Sequence, residues 1–312
     1  MSDWRTRVPL LLGGVAAAAL VLLLAAPLVA LVWRTLEMGA LGPALRNPTV
    51  LAALRLSLVT ASVSLAVALA LGTPLAYALA RIPFPGRGLV EALVEVPIVL
   101  PPAVAGIALL MAFGRRGLLG APLAEAGISL AFTTAAVVVA QCFVAVPFYV
   151  RSAKAGFQGV NRELEQTAHT LGESPLGTFR RVTVPLAFPS LLAGAVLCWA
   201  RALGEFGATI MFAGSFRGRT QTMPLAIYAA LESDLGAALA LGTILVVVSV
   251  AVLALVRWVT RRQEAAGAPD PLVAEATGAP AAAGGPPAPA TLRRTPPAEG
   301  AASPRHRADA RG

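Results

Sequence analysis

Two polar stretches interrupt a chain that is otherwise almost wholly apolar, and they hold most of the residues with chemistry to offer. The first reads Arg201-Ala202-Leu203-Gly204-Glu205-Phe206-Gly207-Ala208-Thr209. On a helix, Arg201 and Glu205 stand at i and i+4 and can pair, and Thr209 offers a hydroxyl on the same face. The second runs from about Arg151 to Arg181 and contains Asn161-Arg162-Glu163-Leu164-Glu165-Gln166-Thr167-Ala168-His169-Thr170-Leu171-Gly172. Neither stretch makes a catalytic centre. A serine-type membrane protease needs a base beside its nucleophile, and His169 and His306, the only histidines, both lie outside the apolar runs. No apolar run contains Asp, and His-Glu-x-x-His is absent. Cys142 and Cys198 fall singly inside apolar runs, which leaves neither a disulfide frame nor a Cys-x-x-Cys metal site. The one lysine, Lys154, sits between Ser152-Ala153 and Ala155, so the Gly-rich loop ending in Lys and Ser or Thr that holds a triphosphate is missing. No cofactor is expected in this chain, and any ATP-driven step has to be powered by another subunit.

The elements that position these stretches must live in lipid. The chain has 312 residues, 57% hydrophobic and 13% charged, with a mean hydropathy of +0.74, whereas soluble domains carry about 25% charged residues. The net charge of +9 is spread between apolar runs with no basic face, which argues against nucleic acid as a partner. A membrane helix needs roughly 20 apolar residues to cross about 30 Å of hydrocarbon. Six uncharged runs qualify: Val8–Trp33, Leu56–Ala80, Val96–Phe113, Ala126–Val150, Val182–Ala200 and Leu235–Val256. The first follows Arg5 and Arg7, as in a signal peptide, but is much longer than the ~7–15 apolar residues of one; an uncleaved helix is expected.

Arginine and lysine in the short loops set orientation. Twelve of them (Arg5, Arg7, Arg81, Arg87, Arg151, Lys154, Arg162, Arg180, Arg181, Arg257, Arg261, Arg262) fall on one side and six (Arg34, Arg46, Arg115, Arg116, Arg217, Arg219) on the other. Both termini are therefore expected in the cytoplasm, with residues 1–7 as a short cytoplasmic N-terminus. Pro97, Pro101 and Pro102 make the third run bent or interrupted, which suits a channel wall. From about residue 263 to 312 the sequence is Ala, Pro and Gly without periodicity, the composition of a disordered cytoplasmic tail.

Inside the long cytoplasmic loop, Asn161 can cap a short helix that carries Glu163 and Glu165 in its first turn and ends at Gly172. Leu164, Ala168 and Leu171 recur at i, i+4 and i+7, giving one apolar stripe. An amphipathic helix of this kind lies on lipid or docks in a partner's groove. Its acidic polar face disfavours anionic lipid, so docking is the expected role.

These residues resemble the coupling motif in permease subunits of bacterial ABC importers, which reads Glu-Ala-Ala, three residues, Gly, nine residues, Ile-x-Leu-Pro. Here Gly172 is followed by nine residues and then Val182-Thr183-Val184-Pro185; the opening reads Gln166-Thr167-Ala168, with Glu165 one residue upstream. Pro97-Ile98-Val99-Leu100-Pro101-Pro102-Ala103-Val104-Ala105-Gly106 is similar to the third span of sulfate and molybdate permeases, and Arg201 to Thr209 resembles the motif after their fifth span. Thr220-Gln221-Thr222-Met223-Pro224-Leu225-Ala226-Ile227-Tyr228 is closer to molybdate permeases. The resemblance covers about residues 8–260. It implies an all-α, polytopic permease domain of six transmembrane helices, of the type I ABC importer kind, with a coupling loop at about 151–181, in the bacterial inner membrane. It further implies separate ABC ATPase subunits that bind ATP and Mg, and a periplasmic or lipid-anchored oxyanion-binding protein. Glu163, Glu165, Ala168, Leu171, Gly172 and Pro185 would then couple to the ATPase.

Six helices make a thin pore alone, so two copies around an axis are expected. One strongly positive ring would trap a dianion, and hydroxyls, backbone N–H groups and small residues suit a path better. Pro101, Pro102, Arg201, Glu205 and Thr209 are the candidates for path or gate; the Arg201–Glu205 pair equally suits a structural brace. A sulfate or thiosulfate importer remains the alternative within the group. A secondary anion transporter, which would show repeats and midplane charges, is the alternative outside it.

Overall fold

Prolines and helix caps decide where the apolar runs begin, bend and stop. A computed structural model describes residues 4–266 of the protein, and those residues form helices with no strand among them. In chain order these are α1 (Trp4–Glu37), α2 (Leu41–Arg46), α3 (Pro48–Val67), α4 (Thr73–Arg81), α5 (Arg87–Val99), α6 (Pro102–Phe113), α7 (Gly120–Glu125), α8 (Thr134–Gly159), α9 (Arg162–Thr170), α10 (Pro175–Thr178), α11 (Val184–Leu203), α12 (Gly207–Ala213), α13 (Met223–Leu231) and α14 (Leu235–Ala266). The expected tail from residue 263 begins as the last turn of α14, and residues 267–312 lie outside the described residues, as do 1–3.

Among the described residues, five helices are long and apolar enough to cross a membrane: Leu12–Glu37, Pro48–Arg81, Thr134–Gly159, Pro175–Leu203 and Leu235–Ala254. Two of them contain a π-helical turn, at Ala68–Gly72 between α3 and α4 and at Phe179–Thr183 between α10 and α11. Each turn runs directly into a proline at the second position of the next helix, Pro74 and Pro185. The proline ring lacks an N–H and clashes with the carbonyl four residues back, and widening the turn relieves that clash without ending the helix.

The run Val96–Phe113 is not one helix. Leu100 and Pro101 are extended (φ −67°, ψ 134° and φ −55°, ψ 133°); each precedes a proline, which disfavours the helical region for the residue before it. The 12-residue α6 is roughly 18 Å long at ~1.5 Å per residue, short of the ~30 Å core. The run Ala126–Val150 is also displaced. Gly127 and Phe132 have positive φ, and α8 starts only after Thr133, whose hydroxyl accepts from the Ala136 N–H at 3.2 Å. At its far end α8 carries Arg151 and Lys154 on to Gly159, since charged residues extend a membrane helix into water without breaking it.

Three apolar cores hold the helices. One joins α3, α4, α8 and α11, the second α6, α8 and α12, and the third α2, α3, α13 and α14. In lipid there is no hydrophobic drive between helices, so close packing of small residues takes its place. The α8–α11 contact shows this: a Cβ on Gly156 would lie 2.6 Å from Ser190 Cβ, and one on Gly194 2.7 Å from Ser152 Cβ. Ser152 Oγ donates to the Ser190 carbonyl at 2.8 Å across the same seam. In the most apolar stretch of α1 no residue is buried, with Leu22 and Leu23 each 69% exposed, the pattern of a helix in contact with lipid or another subunit.

Candidate functional site

The loop between α8 and α11 folds as its residues dictate. Asn161 Oδ1 accepts from the Glu163 N–H at 3.0 Å and starts α9. Gly172, at φ +92°, ends it: the Gly172 N–H donates to the His169 carbonyl and the Glu173 N–H to the Ala168 carbonyl, both at 3.0 Å. This is the paired closure that a left-handed residue permits. Ser174 Oγ then accepts from the Gly177 N–H at 3.1 Å to open α10, and Arg181 pairs with Glu173.

The predicted stripe on α9 divides between two environments. Ala168 is buried at 9%, whereas Leu164 is 49% and Leu171 81% exposed. The two acids divide likewise. Glu163 is exposed, but Glu165 turns inward, where its Oε1 accepts from Arg81 Nη2 at 3.2 Å and from Thr183 Oγ1 at 2.7 Å. Arg81 Nη2 also donates to the Val160 carbonyl at 2.8 Å. Pro185 is exposed at the start of α11. Of the six coupling residues named from the sequence, Glu163, Leu164's neighbour on the outer surface, and Leu171, Gly172 and Pro185 face outward, while Glu165 and Ala168 anchor the helix to the body.

The stretch from Arg201 to Thr209 forms a break between α11 and α12. Arg201 Nη1 lies 2.8 Å from Glu205 Oε2, a close ion pair without hydrogen-bond alignment. The Glu205 side chain is 1% exposed and that of Arg201 29%. Glu205 Oε1 accepts from the Ala208 N–H at 2.7 Å, so it caps α12 where the chain has left helical geometry. Thr209 is wholly buried, and its hydroxyl has no partner.

This break meets the proline break. A Cβ on Gly207 would lie 2.7 Å from Pro102 Cβ, and one on Gly106 would lie 2.6 Å from Met211 Cβ and 2.8 Å from the Ala208 carbonyl oxygen. Pro102 and the Glu205 to Thr209 segment, far apart in sequence, are thus brought together, with Pro101 exposed beside them. Within a membrane, irregular backbone is tolerated where protein covers it or it borders a water-lined cavity.

Sequence reasoning treated Arg81 only as a topological charge and gave Thr183 no role; nothing in their local sequence marks them. It also passed over Gln141, whose presence in an apolar run was a usable signal. Gln141 Oε1 accepts from Ser64 Oγ at 3.2 Å while its Nε2 is buried without a partner, and Ser57 Oγ accepts from the Met223 N–H at 2.7 Å. Ser57, Thr60 and Ser64 form a buried polar stripe on α3.

Comparison with known proteins agrees with this architecture. The family model described as "Binding-protein-dependent transport system inner membrane component" matches residues 68–265. The chain belongs to that family, and with its long apolar helices it is a multi-pass inner-membrane permease. The molybdenum transport system permease protein ModB of Mycobacterium tuberculosis is 46% identical over 241 residues, covering 76% of this chain and 89% of that one. ModB of Escherichia coli K12 is 37% identical over 212 residues, 67% of this chain and 93% of that one. The molybdate/tungstate transport system permease protein WtpB of Thermococcus kodakarensis is 37% identical over 221 residues, 71% and 83%. Among solved structures, a bacterial ABC transporter that imports alginate superposes with a TM-score of 0.68 at 16% identity, over 82% of this chain and 96% of that one. The fold is that of an ABC importer permease.

Proposed function

We propose that this chain is the membrane permease subunit of an ATP-driven importer for molybdate or tungstate. The observation that carries the reading is the 37–46% identity to molybdate and molybdate/tungstate permeases over most of their length. In this reading α9 docks on a separate ATPase subunit, which binds ATP and Mg. Support comes from the exposed Leu164 and Leu171 on a well-capped helix, the form of a helix-in-groove ligand. An external oxyanion-binding protein delivers the substrate, and two copies of the chain surround the path. The broken pair α5–α6 counts as the sixth crossing, which returns both termini to the cytoplasm.

No built anion site is needed for this. A permease must release its dianion, and at the junction of the two breaks the Arg201 charge is already engaged by Glu205. The test is uptake by proteoliposomes. The complete importer with its loaded binding protein takes up molybdate or tungstate ahead of sulfate, and only with ATP. The isolated chain takes up none. Sulfate uptake with molybdate excluded would overturn the substrate; gradient-driven uptake by the isolated chain would overturn the mechanism.

A further inference from the structure

α9 is held to the membrane body by very little. Of its nine residues only Glu165 and Ala168 are not exposed. Ala168 contributes an apolar contact that fixes no direction. Glu165 contributes a directed one: its Oε1 takes hydrogen bonds from Arg81 Nη2 and Thr183 Oγ1. The side chains of Arg81 and Glu165 are 9% and 15% exposed, so water screens the pair weakly.

What converges on this carboxylate is unusual in its reach. Arg81 is the last residue of α4. The Val160 carbonyl, bonded by the same Arg81 nitrogen at 2.8 Å, is at the C-cap of α8. Thr183 closes the π-helical turn that feeds α11. One oxygen of one side chain on α9 is therefore within two hydrogen bonds of three membrane helices. Charge placement favours the arrangement as well, with an acid in the first turn of α9 and a base in the last turn of α4. Shielded ion pairs add little stability compared with apolar packing, but removing one partner leaves a buried charge unpaired and is costly.

We propose that Arg81, Glu165 and Thr183 form the joint through which movement of α9 is transmitted to α4, α8 and α11, with Glu165 as a positioning residue that need not touch the ATPase itself. This rests on α9 being the docking helix. Beside the longer His169–Thr178 contact at 3.4 Å, Glu165 is the charged and buried attachment of α9, and a push or a rotation of the helix passes through it. The π-turn at Thr183 gives the joint a segment of backbone that is already off regular helical geometry and can take up the change.

The experiment uses the complete importer in proteoliposomes and reads three quantities: co-purification of the ATPase, ATP hydrolysis, and molybdate taken up per ATP. Glu165→Ala is expected to keep the first two and to lower uptake per ATP by about tenfold, within the range of substitutions in coupling networks. Glu165→Gln, which keeps an acceptor for Thr183, falls less. The neutral double variant Arg81→Met/Glu165→Gln separates transmission from simple stability. Having no unpaired charge, it recovers thermal stability relative to Arg81→Met alone, yet its uptake per ATP stays low. Normal uptake per ATP in Glu165→Ala overturns the joint, and so does uptake that recovers with stability in the double variant. If Glu165→Ala fails to assemble, the double variant decides. Leu171→Asp reports separately on the underlying reading: full ATPase binding in that variant would mean that α9 is not the docking helix.

Discussion

Gly106→Ala isolates the contact that brings the two helix breaks together. The added Cβ would lie 2.6 Å from Met211 Cβ, 2.8 Å from the Ala208 carbonyl oxygen and 2.9 Å from Ala208 Cα. All three atoms belong to backbone or to the first side-chain carbon, so none can rotate away. Restoring the ~3.5–4.0 Å of ordinary carbon contact moves α6 and α12 apart by roughly 1 Å. Overpacking of this kind costs about 1–3 kcal/mol, and the loss outweighs the gain of up to ~1 kcal/mol that alanine brings over glycine in a helix. The assay is thermal unfolding of the detergent-purified protein, with Gly88→Ala as the control, because a Cβ on Gly88 in α5 meets nothing within 4 Å. Gly106→Ala lowers the midpoint while Gly88→Ala holds or raises it. Equal midpoints for the two variants would refute the claim that α6 and α12 touch through this glycine.

Glu205→Ala removes the acceptor of the buried Ala208 N–H and the partner of Arg201, and an unsatisfied buried donor costs about 1–3 kcal/mol; Glu205→Gln keeps the cap and is expected to retain most of the thermal stability that Glu205→Ala loses, whereas equal loss in both would locate the effect in the ion pair alone. Topology follows from the arginine distribution and the broken α5–α6 crossing: reporter fusions after Arg87 and Gly172 read cytoplasm and those after Arg116 and Arg219 read the outside, and reversal of two of them would refute the six-crossing arrangement.

The apolar helices were legible because lipid imposes one simple demand, a long uncharged run, on every element that crosses it. Their ends were less so. Charge gaps placed a span at Ala126–Val150, but the helix there is Thr134–Gly159, because lipid forbids charge and does not by itself make a helix; Gly127 and Phe132 carry the apolar chain through a loop first. The caps of α9 were readable since Asn161 and Gly172 act on their own neighbours. Orientation about the helix axis was not. Glu163 and Glu165 look alike in sequence, and what turns Glu165 inward is Arg81, 84 residues away. Likewise the prolines of Pro97 to Pro102 announced a break, and Gly207 gave no sign that it would sit against Pro102. Local interactions leave local signatures, and long-range contacts leave none in a single sequence.

The distribution of small residues and prolines divides the bundle into parts with different mechanical character. α8 and α11 are joined over about one turn by two glycine–serine contacts and the Ser152–Ser190 hydrogen bond, and each contributes to the same apolar core. A seam interdigitated this closely has no room to slide, so the two helices move together. On α11 the departures from regular helix lie at its two ends: the π-helical turn at Phe179–Thr183 on the side of α9, and the Gly204 to Phe206 break on the other, where Gly207 sits against Pro102. In the proposed docking of α9, a push passed through the Glu165–Thr183 contact enters α11 at its π-helical turn, and the next irregular backbone it reaches along that helix is the break beside Thr209.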